Sequence, residues 1–171
     1  MFGISLDRVE EIEQAATEAR QRCRGCQLPV ATHEILSFFA INRGHLHQTS
    51  QYEAIFDLRA PHPPYEILLR DKKPDQSDTG YRHRRRFTEG HELGHFFLHD
   101  GDRILHRETG ETIVEAVADE DFELVDMEND ANCFSGALLM PREAVRRDIE
   151  LTQLHGGEFW LQSLSRKYDV S

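Results

Sequence analysis

Long apolar runs are missing from this 171-residue chain, and basic residues are scarce. No stretch approaches the roughly 18 apolar residues that a membrane-spanning helix needs. The N-terminus is acidic where a signal peptide would be basic and then apolar. Twenty basic residues stand against 31 acidic ones, which gives a formal charge of −11. We therefore expect a cytoplasmic protein with no membrane segment and no direct binding of nucleic acid, because an acidic surface repels phosphates.

Cysteines are also few, and their odd number of three does not suggest a disulfide framework. Cys23 and Cys26 form a CxxC pair, which can be half of a zinc knuckle or a redox pair. A zinc knuckle needs a second ligand pair, and only His33 lies at a plausible distance. No βαβ pattern follows to suggest a redox site. We interpret the two cysteines as ordinary residues at a helix end.

The apolar spacing predicts a single α+β domain over residues 1–171, with about five helices and a small antiparallel sheet. The helices should cover 9–22 and 32–44, then start near Thr88 and Met127, with two shorter ones at 142–154 and 157–168. Two strands, one ending near residue 59 and one over 65–71, flank a proline-rich turn and predict a hairpin. The acidic stretch 101–126 should contain a short strand or helical turn.

One basic cluster, RHRRR at residues 82–86, directly precedes the histidine-rich segment. We interpret it as a solvated loop or as a partner for nearby acidic residues. Guidance of an acidic substrate is the alternative function for such a cluster.

The segment RRRFTEGHELGHFFLHD, residues 84–100, contains an HExxH motif. On a helix, residues four apart lie on one face, so the imidazoles of His91 and His95 can converge on one zinc ion. Glu92 lies on the flank of that face, where it can take a proton from a water molecule activated by the metal. This arrangement is typical of peptide-bond hydrolysis. Gly94 costs about 1 kcal/mol relative to alanine inside a helix, which predicts close approach of another backbone, expected from a hairpin strand.

A third ligand should come from another helix. Eight residues of helix rise about 12 Å, so His91 and His99 cannot reach the same ion, and His99 should cap or support the helix end. Glu128 and Asn132 share a helix face, so Glu128 could bind the metal while Asn132 accepts the free N–H of a ligating histidine. Cys133 should point away from the metal. Four nearby acids remain rivals of Glu128 on spacing alone: Asp121, Glu123, Asp126 and Asp130.

The segments RRFTEGHELGHFFLH and ENDANCFSGALLMP together resemble the ImmA/IrrE-type metallopeptidases, whose patterns are approximately RFTxAHELGHxxLH and ExxANxFAxxLLMP. The resemblance implies a zincin-like fold with Zn²⁺ bound by His91, His95 and Glu128, and Glu92 as the catalytic base. Asn132 matches the residue after the alanine of the second pattern. His99 matches the trailing histidine, which is not a ligand in the family.

Several members of that family cleave a helix-turn-helix repressor, so the resemblance implies an endopeptidase that acts on such a regulatory protein. The alternatives are a non-catalytic protein that sequesters a transcription factor, or a toxin–antitoxin component. The intact Glu92 favours the enzyme, because a structural metal site has no use for a base. The ligand set favours zinc and leaves manganese and iron as alternatives. Three side chains are candidates for stabilising the oxyanion: His99, Tyr81 and Tyr168.

The chain departs from the family pattern in both motifs. Glu89 and Gly90 stand where Leu-Ala is usual, and Ser135 and Gly136 replace Ala-Ala or Ala-Glu. These positions should pack the two helices together, so the departures concern rigidity more than the metal. Residues 158–171 resemble the start of a helix-turn-helix-like segment, after which the family continues with another helix. The sequence ends at Ser171, so the segment is either naturally short or truncated.

Overall fold

The computed structural model describes residues 4–22, 27–57, 63–99, 105–109, 122–154 and 160–171. The helices in these ranges are α1 (Leu6–Arg22), α2 (Thr32–Phe38), α3 (Asp78–Leu98), α4 (Phe122–Leu139), α5 (Arg142–Leu154) and α6 (Trp160–Tyr168). The strands are β1 (Ile41–Leu46), β2 (Tyr52–Asp57), β3 (Tyr65–Arg70) and β4 (Leu105–Thr109). The α+β class is therefore confirmed. Within the described ranges, every helix is too short or too polar to cross a bilayer. Cys23 and Cys26 lie outside those ranges.

The four strands form one sheet in the order β1-β3-β2-β4. The predicted hairpin of β2 and β3 is confirmed as an antiparallel pair, and β4 supplies the short strand expected in the acidic stretch. β1 runs parallel to β3, so the sheet is mixed where an antiparallel one was predicted. The second helix ends at Phe38 and not near Gly44, because Ala40 at φ 54° turns the chain out of the helix and into β1.

Helix α3 starts ten residues earlier than predicted. Ser77 caps it, with its Oγ accepting a hydrogen bond from the Gly80 N–H over 3.0 Å. The prediction that residues 82–86 form a loop was therefore wrong, because arginine is a good helix former and a serine cap lies upstream. The alternative interpretation, pairing with acidic residues, is confirmed. The ion pairs are Arg82–Asp169, Arg84–Glu53, Arg85–Glu89 and Arg86–Asp169.

Helices α3 and α4 pack against each other more extensively than any other pair of elements. The sheet lies against α3 on one side, and α1 packs on α4. Apolar side chains from α1 to α4 and from strands β1 to β3 form one core, which includes Ile12, Ile35, Phe56, Ile67, Leu93, Phe134 and Leu138. The histidine face of α3 therefore meets α4 inside the protein and not at its surface.

Candidate metal centre

Three of the side chains predicted to bind metal converge between α3 and α4. The Nε2 atoms of His91 and His95 lie 3.1 Å apart. The Glu128 carboxylate closes the group, with Oε2 at 3.2 Å from His91 Nε2 and Oε1 at 3.3 Å from His95 Nε2. Both histidines are only 1% exposed, whereas Glu128 is partly open to solvent. Among the described residues, this is the group of histidine, cysteine and acidic side chains that could hold a metal ion.

The spacing of these ligand atoms fits a tetrahedral zinc ion. Atoms bound to such an ion at about 2.1 Å lie about 3.4 Å from one another. The three separations among His91, His95 and Glu128 are 3.1, 3.2 and 3.3 Å. Imidazole nitrogen and carboxylate oxygen are both atoms that zinc accepts. The donor set and its geometry are therefore suitable for the metal.

Two glycines allow α4 to come close enough to α3 for the ligands to meet. A Cβ atom on Gly94 would lie 2.8 Å from Ala131 Cα, and one on Gly90 would lie 2.6 Å from Ser135 Oγ. The close approach predicted from Gly94 is therefore present. Its partner is the backbone of α4, however, and not a hairpin strand, because the glycines lie on the histidine side of α3.

The two departures from the family pattern have direct partners. Ser135 occupies the space that a Cβ on Gly90 would need, and its Oγ donates a hydrogen bond to the Phe87 carbonyl over 2.8 Å. The buried Glu89 carboxylate accepts hydrogen bonds from Thr32 and from Arg43 and Arg85, the two arginines at 3.3 Å each. Sequence reasoning missed these partners, although Arg85 lies four residues before Glu89 on the same helix, which is a spacing typical of ion pairs.

We call the side chains of His91, His95 and Glu128 the metal cluster. In each of its two histidines, the Nδ1 atom also has a partner. His91 Nδ1 lies 3.0 Å from Asn132 Oδ1, and His95 Nδ1 lies 3.1 Å from His99 Nδ1. When Nε2 of a histidine binds a metal, Nδ1 carries the proton and donates it. Burial, followed by repulsion from His95, lowers the pKa of His99 to about 4, so its ring is neutral and can accept that proton.

Glu92 is fully buried one residue after the first histidine. Three other side chains were candidates for stabilising an oxyanion. Tyr81 precedes His91 by ten residues, or about 15 Å along the helix. The Tyr168 hydroxyl donates to Asp148 Oδ2 over 2.7 Å, and burial raises the pKa of this hydroxyl. His99 contacts His95 of the metal cluster through its Nδ1 atom.

The rivals of Glu128 are placed differently. Asp130 accepts hydrogen bonds from Arg8 of α1, and Asp126 is exposed on α4. Asp121 and the side chain of Glu123 lie outside the part of the chain that the structure describes. Cys133 is partly buried in a groove lined also by Ile12 and Ala137, and it does not belong to the metal cluster.

The comparison with known families gives one match. The sequence model described as the IrrE N-terminal-like domain, of the M78 peptidases, matches residues 77–171, more than half of the chain. None of the curated proteins compared matches the chain. The matched region begins at Ser77, the cap of α3, and contains the whole metal cluster with Glu92. The chain therefore belongs to the IrrE N-terminal-like family of M78 peptidases, which are hydrolases with a zincin-like domain.

Proposed function

We propose that the protein is a zinc-dependent endopeptidase that cuts a helix-turn-helix transcriptional repressor in the cytoplasm. One observation carries the proposal: the ligand atoms of His91, His95 and Glu128 converge beside Glu92, in a chain that belongs to a peptidase family. A site that served only structure would not need a buried carboxylate one residue from a ligand. Hydrolysis does need one, because a base must take a proton from the attacking water.

In this proposal, His91, His95 and Glu128 hold the zinc ion, and Asn132 and His99 orient the two imidazoles. A bound zinc ion supplies Lewis-acid chemistry, which makes water more acidic and polarises the scissile carbonyl. Glu92 takes a proton from the water that attacks the carbonyl carbon. It then delivers this proton to the amide nitrogen as the C–N bond breaks, which releases an amine and a carboxylic acid. The acid ionises and its proton passes to the amine, which gives a carboxylate and an ammonium group. Burial of these side chains strengthens their electrostatic interactions, since the surrounding medium is less polar than water.

The charge of the chain supports a DNA-binding protein as the substrate. A repressor carries a basic surface for phosphates, and the formal charge of −11 on this chain attracts such a surface while it repels the DNA. The basic cluster at residues 82–86 does not oppose this attraction, because four of its arginines are paired with acidic side chains.

Incubation of the purified protein with the repressor encoded beside its gene tests the proposal. We expect cleavage at one site, seen by mass spectrometry, that a chelator abolishes and added zinc restores. Glu92→Gln should keep one zinc ion per chain and lose cleavage, whereas Glu128→Ala should lose the zinc on dialysis. Glu66→Gln, an exposed change on β3, is the matched control and should cut normally.

Two outcomes would contradict the proposal. Cleavage that survives in Glu92→Gln would show that another group acts as the base. A wild-type protein that holds zinc and binds the repressor without cutting it would favour the sequestering protein instead.

A further inference from the structure

A series of polar contacts connects the N-terminal helix α1 to the metal cluster. The Arg8 guanidinium donates hydrogen bonds from Nε and Nη2 to Asp130 Oδ2, over 2.8 and 2.6 Å. The same carboxylate oxygen lies 3.8 Å from His99 Nε2, and His99 Nδ1 lies 3.1 Å from His95 Nδ1. We call the three side chains Arg8, Asp130 and His99 the Arg8 network. It ends on one of the two histidines that face the metal position.

We propose that Arg8 and Asp130 are positioning residues of the metal centre, which act on His95 through His99. The proposal rests on the proposed function, because it assigns His95 Nε2 to the metal. Neither residue touches the metal position, so their effect is to fix the orientation and the tautomer of the imidazoles between them.

The positions of the protons follow from the contacts. With Nε2 of His95 as a ligand atom, its Nδ1 carries the proton and donates it to His99 Nδ1. Because His99 Nδ1 accepts that hydrogen bond, the ring proton of His99 sits on Nε2, which lies 3.8 Å from Asp130 Oδ2. In the other tautomer, two N–H groups would face each other across 3.1 Å. The negative charge of Asp130 favours the first tautomer, and Arg8 holds that charge in place.

The surroundings of His99 make this influence strong. The side chains of His99 and Asp130 are 8% and 12% exposed, so little water screens the interaction between them. His99 Nε2 is buried, and no described residue accepts a hydrogen bond from it. The Asp130 carboxylate, with Oδ2 at 3.8 Å, is the acidic group that lies beside this nitrogen.

The two histidines of the metal cluster are thus supported from different parts of the chain. Asn132, which contacts His91, lies on α4 within the region that matches the peptidase family. The support of His95 extends to Arg8, which lies outside residues 77–171. Through the Arg8 network, helix α1 therefore helps to position a metal ligand, in addition to packing against the core.

A second arginine of α1 provides a matched control. Arg20 donates a hydrogen bond over 2.7 Å to the Ala137 carbonyl near the end of α4. It therefore also joins α1 to α4, but at a position nine residues beyond Glu128 and seven beyond Asp130. Arg20→Gln should loosen the contact between the two helices without changing the charge beside His99.

Two measurements on the whole 171-residue chain test the proposal, with zinc alone as the ligand. Competition with a chromophoric chelator gives the zinc dissociation constant, and ¹⁵N NMR of the metal-free protein gives the tautomer of His99.

We expect Asp130→Asn to weaken zinc binding about tenfold and to mix the two tautomers. Arg8→Gln should act in the same direction and less strongly. The double variant should be no worse than Asp130→Asn alone, since both residues act through one route, and Arg20→Gln should match the wild type in both measurements.

The outcomes separate this proposal from the proposed function. A wild-type protein that binds no zinc overturns the proposed function, and the His99 tautomer in the metal-free protein still decides the Arg8 network. Zinc binding that is equal in the wild type, Arg8→Gln and Asp130→Asn overturns the network and leaves the peptidase intact. An equal loss in Arg20→Gln and Arg8→Gln also overturns it, because the effect would then come from helix packing.

Discussion

The two halves of helix α3 are held in the protein by different kinds of contact. The first half, residues 78–86, uses long arginine side chains to reach distant segments. Its partners are the Asp169 carboxylate, the Glu53 carboxylate on β2, and the carbonyls of Val30, Tyr168 and Asp169. The second half, residues 87–98, has small residues against α4, where Gly90 and Gly94 leave no room for a Cβ atom.

This difference matches the role of each half: the first half joins segments of the chain, and the second half carries the ligand atoms of the two histidines. Arginine side chains have several rotatable bonds and can follow small shifts of the segments they join. Ligand atoms cannot, because metal–ligand distances are fixed to within about 0.2 Å. Direct contact between two helix backbones gives that accuracy, since packed backbones have few other arrangements. We therefore expect changes in the first half to reduce stability and changes in the second half to reduce metal binding.

The largest expected effect on stability comes from Arg86. Its guanidinium donates to the Tyr168 and Val30 carbonyls over 2.9 and 3.0 Å and pairs with Asp169 at 3.0 Å. Arg86→Met removes this donor from the two buried carbonyls and one of the partners of Asp169, so the free energy of unfolding in urea should fall by about 3 kcal/mol. Zinc affinity of the folded protein should stay within about threefold of the wild type.

The control for this change is Arg146→Met, which removes an exposed pair with Glu150 on α5 and should leave the urea midpoint unchanged. A folded Arg86→Met protein that has lost zinc binding would contradict the division of α3 into two halves.

Local patterns in the sequence predicted the residues of the metal cluster. They did not predict the contacts between residues that are far apart in the chain. His91 and His95 follow from helical spacing alone, and the second motif singled out Glu128 among its rivals. β1 was missed because Ile41 is its one buried residue and its strand form depends on pairing with β3. Arg8 and Asp130 lie 122 positions apart, and no periodicity records such a contact.

Gly94→Ala should have an intermediate effect on stability and a large one on metal binding. The added Cβ would lie 2.8 Å from Ala131 Cα, which is backbone and cannot rotate away. Overpacking costs about 1–3 kcal/mol, of which the better helix propensity of alanine restores about 1 kcal/mol. Because the added atom forces α4 away from α3, Glu128 moves and zinc binding should weaken by about tenfold or more. Urea unfolding and chelator competition measure the two effects.

Gly136→Ala is the matched control for Gly94→Ala. It lies on α4, where an added Cβ meets nothing within 4 Å. It should raise stability by up to about 1 kcal/mol and leave zinc binding unchanged. Equal zinc affinity in the two alanine variants would show that the close packing of α3 on α4 does not set the ligand positions.

The smallest effect on stability should be a pH-dependent one, at Asp169, which pairs with arginines in the first half of α3. The hydrogen bonds from Arg82 lower the pKa of Asp169, against burial, with further help from His83 and Arg86. A carboxyl with a lower pKa in the folded state stabilises the protein above the unfolded value of about 3.9, and this stabilisation is lost as the pH falls toward the folded value. Asp169→Asn should therefore unfold about 0.5–1 kcal/mol more easily in urea at pH 7, and the difference from the wild type should shrink between pH 5 and pH 3. Asp75→Asn removes the same charge from the exposed loop before α3 and should show neither effect. A difference that stayed constant down to pH 3 would mean that Asp169 acts through its shape and not through its charge.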